Sequence, residues 1–430
     1  MPSDSNTQFT RPNNLAYIVS RFPDLTETFI LREIWSMHCR GWPVAIFSLL
    51  DTRGETIVHP EARKLSSHVI YTPFLLSKTL WRSVWFFLRN RTKKMLKILC
   101  LLSFHNRTSL ELYLKTWILF PKAILIAYLM EKRGIQHIHV HWAHHPASVA
   151  LIVHILTGIT FSFTAHAHDL YVNRVLLPVK IDKARFVVTI AGYNMKILQK
   201  HTTPAHLGKI HLIYNSVDLD YFSPVDKQPQ VPPLVLAIGR LIPMKGLNCL
   251  VMACSELHRQ GIAFQCVIVG SGPELKRLRK TIAEEGLKDI VRCVGPKSQQ
   301  DIKGLLQRAN LFVMPSIVAT NGSHDGLPTV LIEALAMRVP SIATTVAGIP
   351  EIIDDNQTGT LVAPGDVQSL SENIKKVLSD RGLAKRLAKR GREMVEERFS
   401  LDRNIDRLEM LVSDCINDTR TCQRLQRVLL

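Results

Sequence analysis

The second half of the chain alternates short apolar runs with longer amphipathic stretches. The apolar runs lie near 234–239, 264–269, 290–294, 310–314, 340–344 and 359–362, and segments such as 246–259 and 274–285 separate them. Short apolar runs are typical of buried parallel strands, and longer segments with a period near 3.6 residues are typical of helices. The pattern predicts a parallel sheet with helices on both faces.

The first half shows a similar pattern with one long interruption. Apolar runs at 15–19, 44–49, 185–190 and 210–218, and another beginning at 160, predict strands, whereas 72–133 is predominantly helical in pattern. With 430 residues the chain is long enough for two domains. We expect an α/β protein with domains at 1–217 and 234–398. A proline-rich linker at 218–233 separates them, and a helical segment follows at 399–430.

The loop and helix at 321–336 carry the most informative chemistry. A strand at 311–314 precedes a polar loop, and Pro328 stands in the first turn of the following helix. The free N–H groups at a helix start can bind an anion such as a diphosphate. Asp325 in the loop and Glu333 inside the helix could bind hydroxyls of the same ligand. We therefore predict a nucleotide-sugar site; the alternative is a helix cap with a buried, hydrogen-bonded glutamate.

Two further loops follow neighbouring strands of the same predicted sheet. Gly239 permits a tight turn, and Arg240 and Lys245 supply the cations that would hold a departing diphosphate. Gly270 and Gly272 in the next loop would allow the backbone to approach a ligand closely. Together with the acidic loop, these residues predict one site at the carboxyl edge of the sheet.

Histidines dominate the strand ends of the first half. His137, His139 and His141 alternate, so they would share one face of a strand and could bind zinc. No carboxylate or thiolate is close in sequence, which favours packed or ligand-facing histidines. His166 follows the strand that begins at 160, where an α/β sheet places its ligand crevice. It is a candidate sugar-contacting group, and the alternative is a structural histidine.

The positive charge is concentrated in the first half of the chain. Residues 1–217 hold 26 lysines and arginines against 11 acids, or +15 of the total +18. Ten of these cations, and no acid, lie between Glu61 and Glu111, interleaved with aromatic and aliphatic residues such as Trp81 and Trp85. Such a segment, at 62–133, predicts contact with an anionic membrane surface. A nucleic-acid partner is disfavoured because no recognised nucleic-acid module is visible, and a solvated basic face is the remaining alternative.

Other features narrow the class of protein. The eight cysteines form no Cys-x-x-Cys pair and lie mostly in apolar or helical segments, which indicates thiols in a reducing compartment. The polar start of the sequence is unlike a signal peptide. The first strand-to-helix turn lacks the Gly-x-Gly-x-x-Gly of a dehydrogenase. We expect a cytoplasmic protein that binds peripherally to the inner face of the membrane.

Read together, the motifs resemble those of retaining glycosyltransferases of the family 4 type. Within that group they are most similar to the enzymes of colanic-acid and exopolysaccharide biosynthesis. The matching motifs lie at 20–23, 26–30, 139–143, 161–169, 214–218, 239–246, 269–273 and 325–334. The resemblance implies a GT-B fold, in which two Rossmann-like domains face a central cleft. It assigns the acceptor side to the first domain and makes 399–430 a helix that crosses back to it.

The resemblance also implies a role for each matching residue. Arg240 and Lys245 would bind the diphosphate, Glu333 the ribose hydroxyls, and His166 the sugar near its anomeric carbon. Asp325 and the backbone after it would hold the donor sugar; the family usually has Glu at this position. The remaining implied donor contacts are Gly239, Gly272, Val294, Gly295, Gly326, Leu327, Pro328 and Thr329.

The implied reaction transfers a sugar from a nucleoside diphosphate to a hydroxyl, with retention of configuration. The acceptor would be a lipid-linked or growing polysaccharide, in exopolysaccharide, capsule or lipopolysaccharide synthesis. No cofactor and no essential metal are expected, because side-chain cations and a helix dipole would neutralise the diphosphate. Two alternatives on the same fold are a non-catalytic nucleotide-sugar-binding protein and a sugar-nucleotide epimerase.

Overall fold

A computed structural model of the chain describes residues 15–24, 27–53, 59–72, 77–105, 110–171, 174–225 and 230–428. The strands form two separate sheets of seven and six members, and every strand pair in both sheets is parallel. The predicted α/β fold of two Rossmann-like domains is therefore confirmed. Thr26, which the resemblance includes in its second motif, lies outside the described residues.

The seven-stranded sheet contains the histidine-rich strands. Its members are β1 (Leu15–Val19), β2 (Val44–Ser48), β3 (Val69–Tyr71), β4 (His137–His141), β5 (Thr160–Ala165), β6 (Val187–Thr189) and β7 (Ile210–Leu212). Their order across the sheet is β3-β2-β1-β4-β5-β6-β7. The order reverses between β1 and β4, and the crevice beyond the carboxyl ends of two such strands is where open parallel sheets bind ligands.

The six-stranded sheet repeats this arrangement. Its members are β8 (Leu234–Ile238), β9 (Gln265–Val269), β10 (Val291–Cys293), β11 (Leu311–Met314), β12 (Ser341–Thr344) and β13 (Thr360–Val362). In the order β10-β9-β8-β11-β12-β13, the reversal falls between β8 and β11. The loops that carry Arg240 and Asp325 follow these two strands. The predicted runs match these strands to within one or two residues, because both faces of a parallel strand are buried and its sequence is continuously apolar.

The helices cover both sheets. In the first half they are α1 (Thr28–Cys39), α2 (Pro60–Lys64), α3 (Lys78–Asn90), α4 (Thr92–His105), α5 (Leu110–Lys132), α6 (His145–Thr157), α7 (His168–Tyr171), α8 (Leu177–Lys183) and α9 (Gly192–Lys200). In the second half they are α10 (Leu247–Arg259), α11 (Leu275–Glu284), α12 (Gln299–Arg308), α13 (Thr329–Ala336), α14 (Val367–Ser379), α15 (Arg381–Arg398) and α16 (Leu401–Val428).

The long helical interruption predicted at 72–133 is present as α3, α4 and α5. These helices pack against one another and against α6, and they bury Phe87, Met95, Ile98 and Ile126 in the core of the first domain. Among the described residues, no helix combines the length and the apolar character needed to cross a bilayer. Through its contacts with α6, the segment forms an additional helical layer of the first domain.

The last helix returns from the second domain to the first. Ile405, Leu408 and Val412 of α16 share a hydrophobic cluster with Leu15 of β1 and Ile34 of α1. An isolated β-bridge pairs Val217 with Ser400, so the two segments that connect the domains lie side by side. The two domains are consequently linked by covalent connections and by a shared core.

Two glycines show how closely the loops of the second domain pack. Gly246 has φ +60°, and a Cβ added to it would lie 1.9 Å from the carbonyl oxygen of Pro315. Gly270 has φ +142°, and its Cβ would lie 1.9 Å from the carbonyl oxygen of Gly239. Side chains at these positions would meet the neighbouring loop directly, so glycine is required there by packing within the protein.

Replacing Gly246 by alanine is expected to lower the free energy of unfolding by several kcal/mol, because the new methyl group collides with a backbone carbonyl that cannot move away. Gly261 is the matched control, since it has φ +73° but no atom of a described residue within 4 Å of an added Cβ. The substitution Gly261→Ala should cost only about 1–2 kcal/mol, the usual penalty for a left-handed backbone. Urea unfolding measures both values, and equal losses would contradict the packing argument.

Candidate functional site

The loops at the carboxyl edge of the second sheet form one connected structure. The Leu241 amide donates to the Ser271 carbonyl at 2.8 Å, and the Ile317 amide donates to the Met244 carbonyl at 2.9 Å. The Gly270 amide donates to the Gly295 carbonyl at 2.9 Å. The structure thus brings together the loops that carry the predicted site residues Gly239, Gly272, Val294 and Gly295. The crowding at Gly270 and Gly272 comes from the loop at 239–241, whereas the sequence suggested approach to a ligand.

Lys245 and Asp325 form a buried ion pair. The ammonium nitrogen lies 2.7 Å from Oδ1 of Asp325, and the Ser316 hydroxyl donates a hydrogen bond to Oδ2. Lys245 is 9% exposed and Asp325 is 6% exposed. A buried carboxylate is costly unless it is paired and hydrogen-bonded, and here both oxygens are satisfied. The pair fixes the loop in front of α13 relative to the loop after β8.

Glu333 makes an ion pair with the other domain. Its Oε1 accepts a hydrogen bond from Nη2 of Arg32, on α1, at 2.8 Å. The Arg32 guanidinium also lies over the ring of Phe222, 5.3 Å from its centroid. The other terminal nitrogen of Arg32, Nη1, is buried and has no hydrogen-bond partner among the described residues. The Glu333 carboxylate is therefore held at the domain interface.

Arg240 is exposed at the end of β8, and its charge acts on Glu27 of the first domain. Burial, together with the nearby Asp24, raises the pKa of Glu27 to about 7. The pKa of Glu27 is lowered in turn by the nearby His141, by a hydrogen bond from Trp142 and by the charge of Arg240. A carboxyl group that titrates near neutrality inside a cleft is typical of a functional site.

The start of α13 lies against the first domain. Pro328 is the N-cap residue, and no side chain of the described residues caps the helix. A Cβ on Gly326 would lie 2.9 Å from the Cβ of Ala167 and 3.5 Å from the carbonyl oxygen of His166. Leu327 is buried and Thr329 is half-buried. The acidic loop and the helix start therefore meet the loop that follows β5.

His166 is fixed by its own loop. Its backbone N–H donates to both carboxylate oxygens of Asp169, at 3.1 and 3.2 Å, and Asp169 also accepts from the Ala143 amide. Asp169 therefore ties the loop after β5 to the loop after β4. The imidazole of His166 lies 4.5 Å from the ring of Trp142, and burial with neighbouring histidines holds its pKa well below its usual range.

The three alternating histidines of β4 are all buried, and each is hydrogen-bonded. His137 bonds to the hydroxyls of Thr160 and Ser162, and His139 bonds to those of Ser162 and Thr164. His141 instead lies between His166, with Nδ1 to Nε2 at 3.2 Å, and Glu33, with Nε2 to Oε1 at 3.0 Å. Glu33, His139 and His141 are also close enough together to hold a metal ion.

Arg32 and Glu33 are the site residues that sequence reasoning missed. They stand beside Ile30, Leu31 and Ile34, which form the buried stripe of α1. Charged residues adjoining an apolar helical stripe are a signal of buried, paired charge. No carboxylate is close to β4 in sequence, and Glu33 lies 108 residues from His141.

The fold and the site together define a two-domain protein of the GT-B class, with cations, carboxylates and a helix start at the cleft. Residues 222–394 match the family described as Glycosyl transferases group 1. The match covers less than half of the chain and includes the whole of the six-stranded sheet.

Two named glycosyltransferases are similar in sequence to this chain over part of their length. WcaL of Escherichia coli K12, whose name assigns it provisionally to colanic acid biosynthesis, is 35% identical over 205 residues, covering 47% of this chain and 50% of WcaL. The amylovoran biosynthesis glycosyltransferase AmsK of Erwinia amylovora is 39% identical over 140 residues, covering 33% of this chain and 34% of AmsK. The matches thus span half or less of these relatives.

Solved structures extend the similarity to the whole fold. A glycosyltransferase from Rickettsia africae superposes with a TM-score of 0.71 at 19% identity, covering 94% of this chain and 99% of the other. Anabaena HepE in complex with UDP gives a TM-score of 0.68 at 16% identity, with 93% and 100% covered. At such identities the likeness establishes the GT-B fold alone.

The buried histidines of β4 should make the protein sensitive to acid. Burial lowers the pKa of His137 to about 3 and that of His139 to about 4, so both are neutral in the folded protein at neutral pH. In the unfolded chain they bind protons below about pH 6.5. The unfolded state therefore gains protons first as pH falls, and the free energy of unfolding decreases by up to about 2.7 kcal/mol per pH unit between pH 6 and 4.

The variant His137→Gln tests this dependence. It should reduce the slope of the free energy of unfolding against pH by up to the contribution of one proton. Urea unfolding at several pH values between 4 and 7 measures it. His258→Gln is the control because His258 is exposed at the end of α10. An unchanged slope in His137→Gln would contradict the argument.

Proposed function

We propose that the protein is a glycosyltransferase of exopolysaccharide, capsule or lipopolysaccharide synthesis. It transfers a sugar from a nucleoside diphosphate to a hydroxyl of a lipid-linked or growing glycan, with retention of configuration. The observation that carries the proposal is the meeting of Arg240, Lys245, Asp325 and the start of α13 with His166 where the two domains face each other. The names of the relatives and the UDP bound to HepE support the same class of reaction.

The diphosphate is the centre of the proposed donor site. Arg240 is exposed and able to reach a ligand, and the uncapped start of α13 offers N–H groups and a positive dipole end. Lys245 adds a second cation while it holds Asp325 in place. These groups stabilise the negative charge that develops on the leaving diphosphate. The proposal requires no bound metal for this role.

Asp325 and His166 would bind the donor sugar. The Gly326 backbone touches the loop of His166, so a sugar held at the acidic loop lies beside the imidazole. The aspartate is one methylene shorter than glutamate but accepts hydrogen bonds from hydroxyls in the same way. On the other side, Glu27 and the indole of Trp142 offer a hydrogen-bond acceptor and an aromatic face for an acceptor sugar.

Glu333 is proposed to bind the ribose hydroxyls, and its ion pair with Arg32 sets a condition on that binding. One carboxylate oxygen is used by Arg32, so the ribose must bind the other oxygen or displace the guanidinium. Arg32 belongs to the first domain, which means that donor binding and the contact between the domains involve the same carboxylate. Closure of the cleft over the donor would also exclude water from the reaction.

The basic helical layer is proposed to bind an anionic membrane surface. Trp81, Trp85 and Leu88 lie at helical spacing on α3 and are 64%, 61% and 47% exposed. Leu96 on α4 and Ile118 on α5 are also exposed. Lysines and arginines alternate with them, and this combination of exposed apolar and basic residues matches lipid acyl chains and anionic headgroups. A lipid-linked acceptor would then be presented at the same surface.

Arg240→Ala should lower kcat/KM for sugar transfer by about 100-fold or more, because it removes a cation that stabilises the departing diphosphate. The fold should persist, since the Arg240 side chain is exposed. Arg259→Ala is the matched control, because it removes an exposed arginine of the same domain whose ion pair, within the described part of the chain, is with Glu256 of its own helix. Transfer is measured with the donor found in the following screen.

A thermal-shift screen of nucleotide sugars identifies the donor, since a ligand at 100 times its Kd adds about 2.7 kcal/mol to stability. Full activity in Arg240→Ala would refute the proposed diphosphate site. Donor binding without any product would identify a nucleotide-sugar-binding protein, and an altered sugar nucleotide formed without acceptor would identify an epimerase.

The double variant Trp81→Ser/Trp85→Ser should bind vesicles containing phosphatidylglycerol about tenfold more weakly than the wild type, because two large apolar side chains no longer enter the lipid interface. Co-sedimentation at low salt measures binding. Val231→Ser is the control, since Val231 is 85% exposed but lies in the linker. Equal binding of wild type and double variant would contradict the proposed binding of the basic helical layer to a membrane.

A further inference from the structure

Glu33, His141 and His166 form a continuous chain of hydrogen bonds that begins inside the first domain and ends at the proposed sugar site. Oε1 of Glu33 lies 3.0 Å from Nε2 of His141, and Nδ1 of His141 lies 3.2 Å from Nε2 of His166. His141 and His166 are 1% and 2% exposed. The remaining ring nitrogen of His166, Nδ1, is not used in this chain of hydrogen bonds.

The positions of the protons follow from the chemistry of the three groups. Oε1 of Glu33 lies at hydrogen-bonding distance from Nε2 of His141, and a carboxylate oxygen is the acceptor in such a contact. An ionised carboxylate only accepts hydrogen bonds, so Nε2 of His141 carries a proton. With one proton on the ring, at Nε2, the other nitrogen of His141, Nδ1, is an acceptor, and Nε2 of His166 donates to it.

We propose that Glu33 and His141 are positioning residues that hold His166 in the tautomer with its proton on Nε2. In this tautomer Nδ1 of His166 is a hydrogen-bond acceptor for a hydroxyl of the substrate. This inference rests on the proposed function, because it assigns the ligand of His166 to the sugar. It adds a specific task for two residues of α1 and β4: they decide whether His166 accepts or donates a hydrogen bond.

Other charged and titratable groups surround the chain of three. Tyr17 of β1 stacks on His141, with ring centroids 6.3 Å apart, and its hydroxyl is close to Glu33. His139 lies 3.7 Å from Glu33, and His144 and Glu27 act on His166 and His141. The direct contact with the imidazole of His166 is made by His141, which is in turn bonded to Glu33.

A metal ion would use the same atoms differently. Glu33, His139 and His141 could coordinate one, but both ring nitrogens of His139 are already bonded to the hydroxyls of Ser162 and Thr164. Coordination would break one of these bonds and would take the Glu33 oxygen from His141. The observed hydrogen bonds satisfy all three residues without an ion and favour the positioning role.

The test uses the full-length protein labelled with ¹⁵N in its histidines. Long-range proton–nitrogen correlation spectra report the tautomer of each imidazole, and loss of one signal in His166→Asn assigns His166. The wild type should show the Nε2–H tautomer. In Glu33→Gln the amide N–H can donate to His141, so His166 should change to the Nδ1–H tautomer. Glu33→Asp keeps the charge and should retain the wild-type tautomer.

Kinetics supply the second readout. Glu33→Gln should lower kcat by about 100-fold or more while KM for the donor changes little, since the donor diphosphate is bound elsewhere. Glu33→Asp should recover part of kcat. Glu131→Gln is the control for a general loss of stability. It removes a carboxylate of α5 that pairs with Arg91, and it should leave both the tautomer and kcat unchanged.

Three results would overturn the inference. They are an Nδ1–H tautomer of His166 in the wild type, the same tautomer and kcat in Glu33→Gln as in the wild type, or stoichiometric zinc in the purified protein that is lost in Glu33→Gln. Failure of the proposed function is distinguishable, because a wild type that transfers no sugar from any donor would still show whether Glu33 controls the tautomer.

Discussion

The structure depends on the pairing of charges that are buried where the two domains meet. A buried ion without a partner costs several kcal/mol, so each such group constrains the position of the element that carries its partner. Glu333 is held by Arg32 across 301 positions of sequence, and Lys245 is held by Asp325 across 80. The first pair fixes α13 against α1, and the second fixes the loop after β8 against the loop before α13.

The same requirement extends into the first domain. Asp169 satisfies the backbone of the loops after β4 and β5, and Lys180 donates hydrogen bonds to the carbonyl oxygens of Ala143, His144 and Val175. These contacts immobilise the loops on either side of His166. An imidazole that must present one nitrogen to a substrate needs this rigidity, because a small displacement would change its hydrogen-bonding partner.

Attachment of the domains to each other combines polar and apolar contacts. Glu351 accepts hydrogen bonds from the amides of Gly192 and Tyr193, at 2.6 and 2.8 Å, and so caps α9 from the opposite domain. His324 stacks on Tyr171, with ring centroids 3.9 Å apart. Together with α16, these contacts place the acidic loop of one sheet against the strand ends of the other, which brings the components of the proposed donor site together.

The sequence by itself determined the strands and the chemistry of their loops. Parallel strands such as β8 and β11 are apolar throughout, and Gly239, Arg240 and Asp325 follow them directly, so local pattern is sufficient. Only the tertiary structure decided which charges pair. Arg32 and Glu33 adjoin an apolar stripe of α1, and their partners depend on how α1 packs against β4 and α13. Side chains that are neighbours only after folding leave no periodic signal in the sequence, because their contacts arise from packing between elements rather than within one.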